Sequence, residues 1–446
     1  METAFPSKTM RIALVVYSWL MAMLLPVVIL YIYRRARKDK RYSDHLGERF
    51  GNYPASAKNA VWIHAVSLGE MRAAAPLIRA LIDKGEIIVT THFTPAGRAA
   101  AQTMFADEYK YGKLFPVYVP LEFNWAYKRF FKAFSPKYGL VMEIEIWPRM
   151  IASAHRYKIP LLLCNGHYPL RSFQRDQRYL KLRGHLATGF TGLLIKSTSD
   201  AERFKAAGAP NVIVTGELRF DQNIPEHLTA AAANLLLSQE QALRGRTIIT
   251  IASAVEGEDD KYIEAIQRIR KIFADRQDAP PLFVYVPRAP ERFDQMGTLL
   301  QQENLAVQKR SKILDSTLDD HSDTDLSDVD VLLGDSLGEM YFYLALADLV
   351  IVGGSFISSG AHNVIEPLAL KKTVLVGPFI WTIAHTAETA IEAKALIKVE
   401  TIAELSKTVA AITAQAEQAN QHAEAFYNDH KGAVARTLVA IDEIIR

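Results

Sequence analysis

What most restricts this chain is a rhythm in which short, almost unbroken apolar runs recur between stretches of helical periodicity. "AVWIHAV" is followed by "EMRAAAPLIRALIDKG", an amphipathic pattern closed by Gly85, and then by "EIIVTTH". "YGLVMEIEIWP", "KIPLLLCNG", "GLLIKST" and "NVIVTG" extend the series. A strand with one wet face alternates apolar and polar residues, whereas runs apolar throughout belong to parallel sheets covered by helices on both faces. After the helix-like stretch "EHLTAAAANLLLSQEQALRG", a second series begins: "RTIITIAS", "PPLFVYVPR", "VDVLLGDS", "ADLVIVGGS" and "KTVLVGP". A chain of 446 residues is too long for one ordinary core. The expected fold is α/β, with two Rossmann-like doubly wound domains, residues 42–225 and 226–446, whose strand ends face a cleft. The last helix is free to pack back on the N-terminal domain.

Residues 1–41 form a separate segment. No charge interrupts the chain from Ile12 to Tyr33, and about 20 apolar residues suffice to span a hydrocarbon core as a helix. A cleaved signal would have a shorter apolar region and small residues after it. Here "YIYRRARKDKRY" follows, and Arg34, Arg35, Arg37, Lys38, Lys40 and Arg41 outweigh Lys8 and Arg11 on the other flank. The positive-inside rule then puts everything after residue 34 in the cytoplasm, on a single-pass transmembrane helix whose basic collar rests on anionic headgroups of the inner membrane. Net charge of only +3 argues against a nucleic-acid partner. The single cysteine, Cys164, permits no internal disulfide and no cysteine metal cluster.

Several residues could carry chemistry. In "WIHAVSLGEMRAAAP", Glu70 follows an apolar strand. Ser67-x-x-Glu70 fits a capping box, but a carboxylate at the carboxyl end of a parallel strand also points where open α/β sheets hold ligands. Glu143 and Glu145 are two residues apart in "LVMEIEIWP", so an extended strand would project both from one face. They complete a candidate acid/base cluster with Glu70, or else pair with an arginine such as Arg149 or Arg171. In the second series, "GGSFISSGAHNVIEPLAL" places a glycine loop containing Gly354 before a helix that starts near Asn363 and Glu366, an arrangement suited to a phosphate. Asn363-x-x-Glu366 is equally readable as a capping pair. Arg288 lies just past one strand end and Ser253 at the end of another, and with the glycine loop they fall on the same side of one expected sheet. The aspartate-rich run Asp315 to Asp330 lacks the spacing of a calcium loop and reads as solvated. No histidine pair has zinc spacing, so neither metal nor cofactor is called for, and no nucleophile elbow is present.

Taken in order, "WIHAVSLGE", "MEIEIWP", "VTGELRFD", "VPRAPERF", "GDSLGEMY" and "GGSFISSGAHNVIEP" resemble the motifs of the Kdo (3-deoxy-D-manno-octulosonic acid) transferases of lipopolysaccharide assembly, glycosyltransferase family 30. The resemblance implies a GT-B architecture, with an acceptor-binding N-terminal domain and a C-terminal domain that binds CMP-Kdo. It implies an inverting, metal-independent transfer of Kdo to a tetraacylated lipid A precursor (lipid IVA) at the inner membrane. Carried onto this chain, Glu70 is the expected general base and Glu143 supports the reacting centre. Pro287 and Arg288 contact the cytidine nucleotide, and Asn363 and Glu366 lie near its ribose and phosphate. The resemblance leaves two rival readings, a GT-B transferase for another nucleotide sugar and a membrane-anchored paralogue without turnover. Some positions differ from the family pattern: "NGHYP" replaces N-A-R-[LM]-S, Val255 and Ala289 replace histidines, and "GPFIWTI" replaces G-P-H-x-x-N-F.

Overall fold

The computed structural model describes residues 5–178, 181–319 and 325–446. They divide into two compact units, the chain up to Gln222 together with Lys431–Arg446, and Asn223–His430. In the first unit β1 (Val61–His64), β2 (Ile88–His92), β3 (Leu114–Tyr118), β4 (Tyr138–Met142), β5 (Leu161–Gly166), β6 (Gly192–Ile195) and β7 (Val212–Val214) form one parallel sheet, in the order β3-β2-β1-β4-β5-β6-β7. The edge strand β3 has no counterpart in the apolar series read from the sequence. Its Pro116 breaks the pattern, and an edge position is where a strand tolerates a residue without an N–H.

Alternation along each strand sends residues to two cores. Val61 and Ile63 join Met71, Leu77 and Ile78 of helix Leu68–Asp83, while Trp62 joins Phe130, Phe131 and Phe134 on the other face. Both faces are dry, which is why the runs are apolar throughout. Gly139 on β4 is held to glycine by this packing, because a Cβ there would lie 2.6 Å from the Trp62 ring. The C-terminal helix Ala433–Ile445 adds Ala440 and Ile441 to the first unit's core. Asp221 fixes its start by accepting from the N–H groups of Gly432 and Val434, each at 2.6 Å.

The polar stretch after the basic collar is less superficial than its composition suggests. Glu48 and Arg49 are buried, and Glu48 accepts from Arg98 (2.8 and 3.1 Å) and from the Tyr118 N–H (2.7 Å). A buried carboxylate needs such partners to offset its desolvation.

In the second unit β8 (Ile248–Ala254), β9 (Leu282–Pro287), β10 (Val307–Lys309), β11 (Val331–Leu333), β12 (Leu349–Val352), β13 (Thr373–Val376) and β14 (Leu396–Lys398) form a parallel sheet in the order β10-β11-β9-β8-β12-β13-β14. Of the aspartate-rich run, residues 320–324 lie outside the described residues. Nearby, Asp315 accepts from the N–H groups of Thr317 and Asp319, a local turn bond of the kind aspartate favours.

Among the described residues one helix, Lys8–Ala36, is long and apolar enough to cross a membrane. It is not free on all sides. Met10, Leu14 and Ile32 are buried, and Tyr17, Ser18, Met21, Leu25, Val28 and Ile29 are half-buried. Arg149 donates to the Ser18 hydroxyl (2.7 Å) and the Leu14 carbonyl (2.8 Å), and Phe5, ahead of the helix, packs edge-on against His155 at 5.4 Å.

Candidate active site

In each unit the strand order reverses direction at one point, between β1 and β4 in the first and between β8 and β12 in the second. Helices leave such a pair of strands toward opposite sides, opening a crevice at their carboxyl ends. The loops after these strands carry most of the residues singled out by sequence.

Glu70 lies in the first turn of helix Leu68–Asp83, just past β1. Ser67 caps that helix, its Oγ accepting from the Glu70 N–H at 3.3 Å. The carboxylate reaches back in turn, one oxygen accepting from the Val66 N–H (2.7 Å) and the other from the Ser67 hydroxyl (3.1 Å). The capping arrangement therefore exists, displaced by one residue from the usual box, in which the cap's own N–H is the donor. It does not exhaust the group, because each carboxylate oxygen has a second lone pair. Burial raises the Glu70 carboxyl from 4.5 to about 7 against the pull of the Val66 N–H, and the negative charges of Glu145 and Glu143 raise it further. A carboxylate that exchanges its proton near neutral pH is suited to general-base work.

The shared strand face expected for Glu143 and Glu145 is not what forms. β4 ends at Met142, and Glu143 turns into the left-handed region at φ 57°, its N–H donating to the Cys164 carbonyl at 2.9 Å. The two side chains diverge. Glu145 accepts from the Trp147 indole, and burial raises its pKa. Glu143 accepts from Arg219 (3.0 Å) and Lys196 (3.4 Å), so its partners are neither Arg149, which holds the N-terminal helix, nor Arg171.

Lys196, Glu217, Arg219 and Asn165 complete a network that sequence reading did not assemble. Lys196 pairs with Glu217 at 2.8 Å, and both side chains are buried. Asn165, at φ 54°, donates to Glu217 (2.9 Å) and accepts from the Leu218 N–H (3.0 Å). Burial by itself would raise Glu217, but Lys196 and Arg219 overcome it and hold the carboxyl at about 2. A signal for Lys196 was available: like Glu143, it is a charge placed directly after an apolar strand. His167, one of the departures from the family pattern, sits beside this network. Burial, aided by Lys196, lowers it to about 4, and its Nδ1 is buried without a hydrogen-bond partner.

In the second unit Ser253 occupies a bulge in β8 at φ 58°, half-buried, and Pro287 ends the adjacent β9. Arg288 follows, with its N–H bonded to the Ala254 carbonyl at 2.9 Å and its exposed guanidinium 2.9 Å from His362 Nε2. Burial and Arg288 lower His362 to about 4, so a neutral ring accepts from the guanidinium. Gly354, second in the loop after β12, stands at φ 80°, and a Cβ there would run into the Gly360 carbonyl oxygen. The loop is held from below by the buried Glu258, whose carboxylate accepts from the N–H groups of Gly354 (2.6 Å) and Phe356 (2.8 Å).

The helix that follows is shorter than expected, Ile365–Ala369, and Asn363 is not its capping residue. The N-cap is Val364, while the exposed Asn363 accepts from the Ile365 N–H at 3.0 Å, an Asx turn. Five residues give a weak dipole, which leaves the exposed guanidinium of Arg288 as the stronger candidate to meet an anion here. Glu366 is half-buried in that helix.

The sequence pattern of the 3-deoxy-D-manno-octulosonic-acid transferase (kdotransferase) family matches residues 44–222. A 3-deoxy-D-manno-octulosonic acid transferase of Bordetella pertussis is 35% identical over 438 residues, covering 96% of this chain and 98% of that protein. One from Haemophilus influenzae is 29% identical over 436 residues, covering 95% and 96%. Among solved structures, a glycosyltransferase from Rickettsia africae superposes with a TM-score of 0.55 at 11% identity, covering 88% of this chain and all of that one, a likeness of fold. The two parallel sheets are thus those of the GT-B architecture. With a relative so similar over nearly its full length, the chain belongs to the 3-deoxy-D-manno-octulosonic acid (Kdo) transferase family.

Proposed function

We propose that this protein is an inverting glycosyltransferase that moves Kdo from CMP-Kdo to a hydroxyl of a tetraacylated lipid A precursor. The observation that carries the reading is Glu70, a half-buried carboxylate beyond β1 whose pKa is raised to about 7 while family membership supplies the sugar. In an inverting transfer the acceptor hydroxyl attacks the anomeric carbon opposite the leaving CMP and loses its proton as the new bond forms. Glu70 takes that proton. The Glu143–Lys196–Arg219 cluster supports the reacting centre, and its half-buried Arg219 attracts the carboxylate of the sugar or a phosphate of the acceptor.

The second unit holds the nucleotide. Pro287 and Arg288 meet the cytidine nucleotide, Asn363 and Glu366 its ribose and phosphate, and the β8 bulge at Ser253 and the loop at Gly354 let the ligand approach the backbone closely. The Arg288 guanidinium offsets the charge that grows on departing CMP, preorganised for it and without a metal ion. The apolar helix Lys8–Ala36 and the basic residues after it attach the protein to the cytoplasmic face of the inner membrane, where a lipid-borne acceptor is presented.

The test is to incubate detergent-solubilised protein with CMP-Kdo and the lipid A precursor and follow both products. Release of CMP together with an acceptor heavier by one or more Kdo residues is expected. Absence of both rejects the reading, and transfer from a different nucleotide sugar alone would favour another donor.

A further inference from the structure

The covered side of helix Lys8–Ala36 runs its whole length. Buried and half-buried positions recur every three or four residues from Met10 to Ile32, and at 100° per residue they occupy an arc of about 120°. The opposite side is exposed and apolar: Val16 61%, Trp19 68%, Met23 74%, Val27 60% and Leu30 54% exposed. The covered stretch of helix is about 34 Å long at 1.5 Å per residue, as long as the ~30 Å hydrocarbon core is thick. The first unit therefore meets one side of the helix at the depth a bilayer would occupy. For the helix to stand upright, Arg149 and the buried Glu122, which accepts from the Arg149 N–H at 2.8 Å, would have to enter the hydrocarbon with it, and charged groups there are costly.

We infer that the helix lies in the plane of the cytoplasmic leaflet, with the first unit seated on its inner side and its exposed arc sunk to the level where headgroups meet acyl chains. The partner is the surface of an anionic lipid monolayer. A free helix in that position needs a polar face toward water. Here protein covers that face, so it can be apolar too, which explains why the helix is hydrophobic all round. Arg34, Arg35 and Arg37, at its carboxyl end, lie at headgroup level. The inference takes membrane attachment from the proposed function and adds the orientation. It also gives Arg149 a positioning role: it stands four residues after Glu145 and holds the Leu14 carbonyl, tying the loop of Glu143 and Glu145 to the membrane plane.

Cys164 is the sole cysteine and is buried, so Lys8→Cys provides a single accessible thiol. Spheroplasts carrying this variant are treated with a membrane-impermeant maleimide before and after permeabilisation, with Arg37→Cys as the cytoplasmic control. An in-plane helix leaves residue 8 unlabelled until the membrane is opened. Labelling of residue 8 in sealed spheroplasts, with residue 37 protected, establishes a spanning helix and overturns the inference. In liposomes containing phosphatidylglycerol, a fluorophore on Cys at position 8, 19 or 37 should report one shallow depth at the ends and a slightly greater one at 19. A depth near the bilayer centre at 19 also overturns it. Recovery of the protein in the soluble fraction instead would reject membrane attachment itself, a failure distinct from a wrong orientation.

Discussion

Replacing Glu70 by Gln should make the protein more stable at alkaline pH while removing most of its turnover. Gln keeps an acceptor for the Val66 N–H and a polar group toward Ser67, so the helix start is preserved. What it loses is a charge held in a place that disfavours charge. The folded-state carboxyl titrates at about 7 against 4.5 when unperturbed, chiefly because of burial. A group whose pKa is raised on folding contributes stability that is complete below the unfolded value and is lost as pH climbs through the folded one. At pH 8 the ionised side chain therefore opposes folding by at most about 3 kcal/mol, at ~1.4 kcal/mol per tenfold change in proton affinity. Partial exposure screens this to about 1–2 kcal/mol. For a unit of this size each kcal/mol moves the melting temperature by roughly 2–4 °C. Thermal unfolding followed by circular dichroism from pH 5 to pH 8 should show Glu70→Gln several degrees above the parent at pH 8 and level with it by pH 5. A variant that melts lower at pH 8 and still turns over normally would refute the reasoning and leave Glu70 as a cap.

Lys196→Met should destabilise the first unit by about 3–5 kcal/mol, because it strands the buried Glu217 carboxylate; denaturant unfolding measures it. Arg288→Ala, at an exposed position, should raise the KM for CMP-Kdo at least tenfold with the melting temperature unchanged. Gly354→Ala should cost about 1–3 kcal/mol in the second unit, since an L side chain must adopt φ 80° and displace the Gly360 carbonyl; the CMP dissociation constant should rise in parallel.

The two sheets were legible because burial on both faces leaves a signature in single runs of sequence, as in "PLLLC" and "ADLVIVGG". β3 was not, because Pro116 at an edge obeys a different rule from the interior strands. Glu70 could be located from its place after a strand and before a helix, but whether it was a cap or a base could not be read there. Its hydrogen bonds and its raised pKa are separate consequences of one half-buried position, and burial is a tertiary quantity. The paired glutamates show the opposite limit. Extended-chain periodicity placed Glu143 and Glu145 together, and one left-handed residue, stabilised by its bond to Cys164 and by Lys196 and Arg219 from later in the chain, separated them. Partners so distant along the chain leave no local trace. The N-terminal helix was legible as apolar but not as covered, since an all-round hydrophobic surface gives no sign of which side meets lipid and which meets protein.

The rate of Kdo transfer in a single turnover, measured from pH 5 to pH 9 with saturating donor and acceptor, tests the central claim most directly. The parent protein should show a rate that rises about tenfold per pH unit and levels off above a midpoint near 7, as Glu70 ionises. Glu70→Gln should be slower by at least ~10² at pH 8, with that rising limb gone. A parent profile flat across this range, or one whose rising limb persists in Glu70→Gln, would show that another group takes the proton.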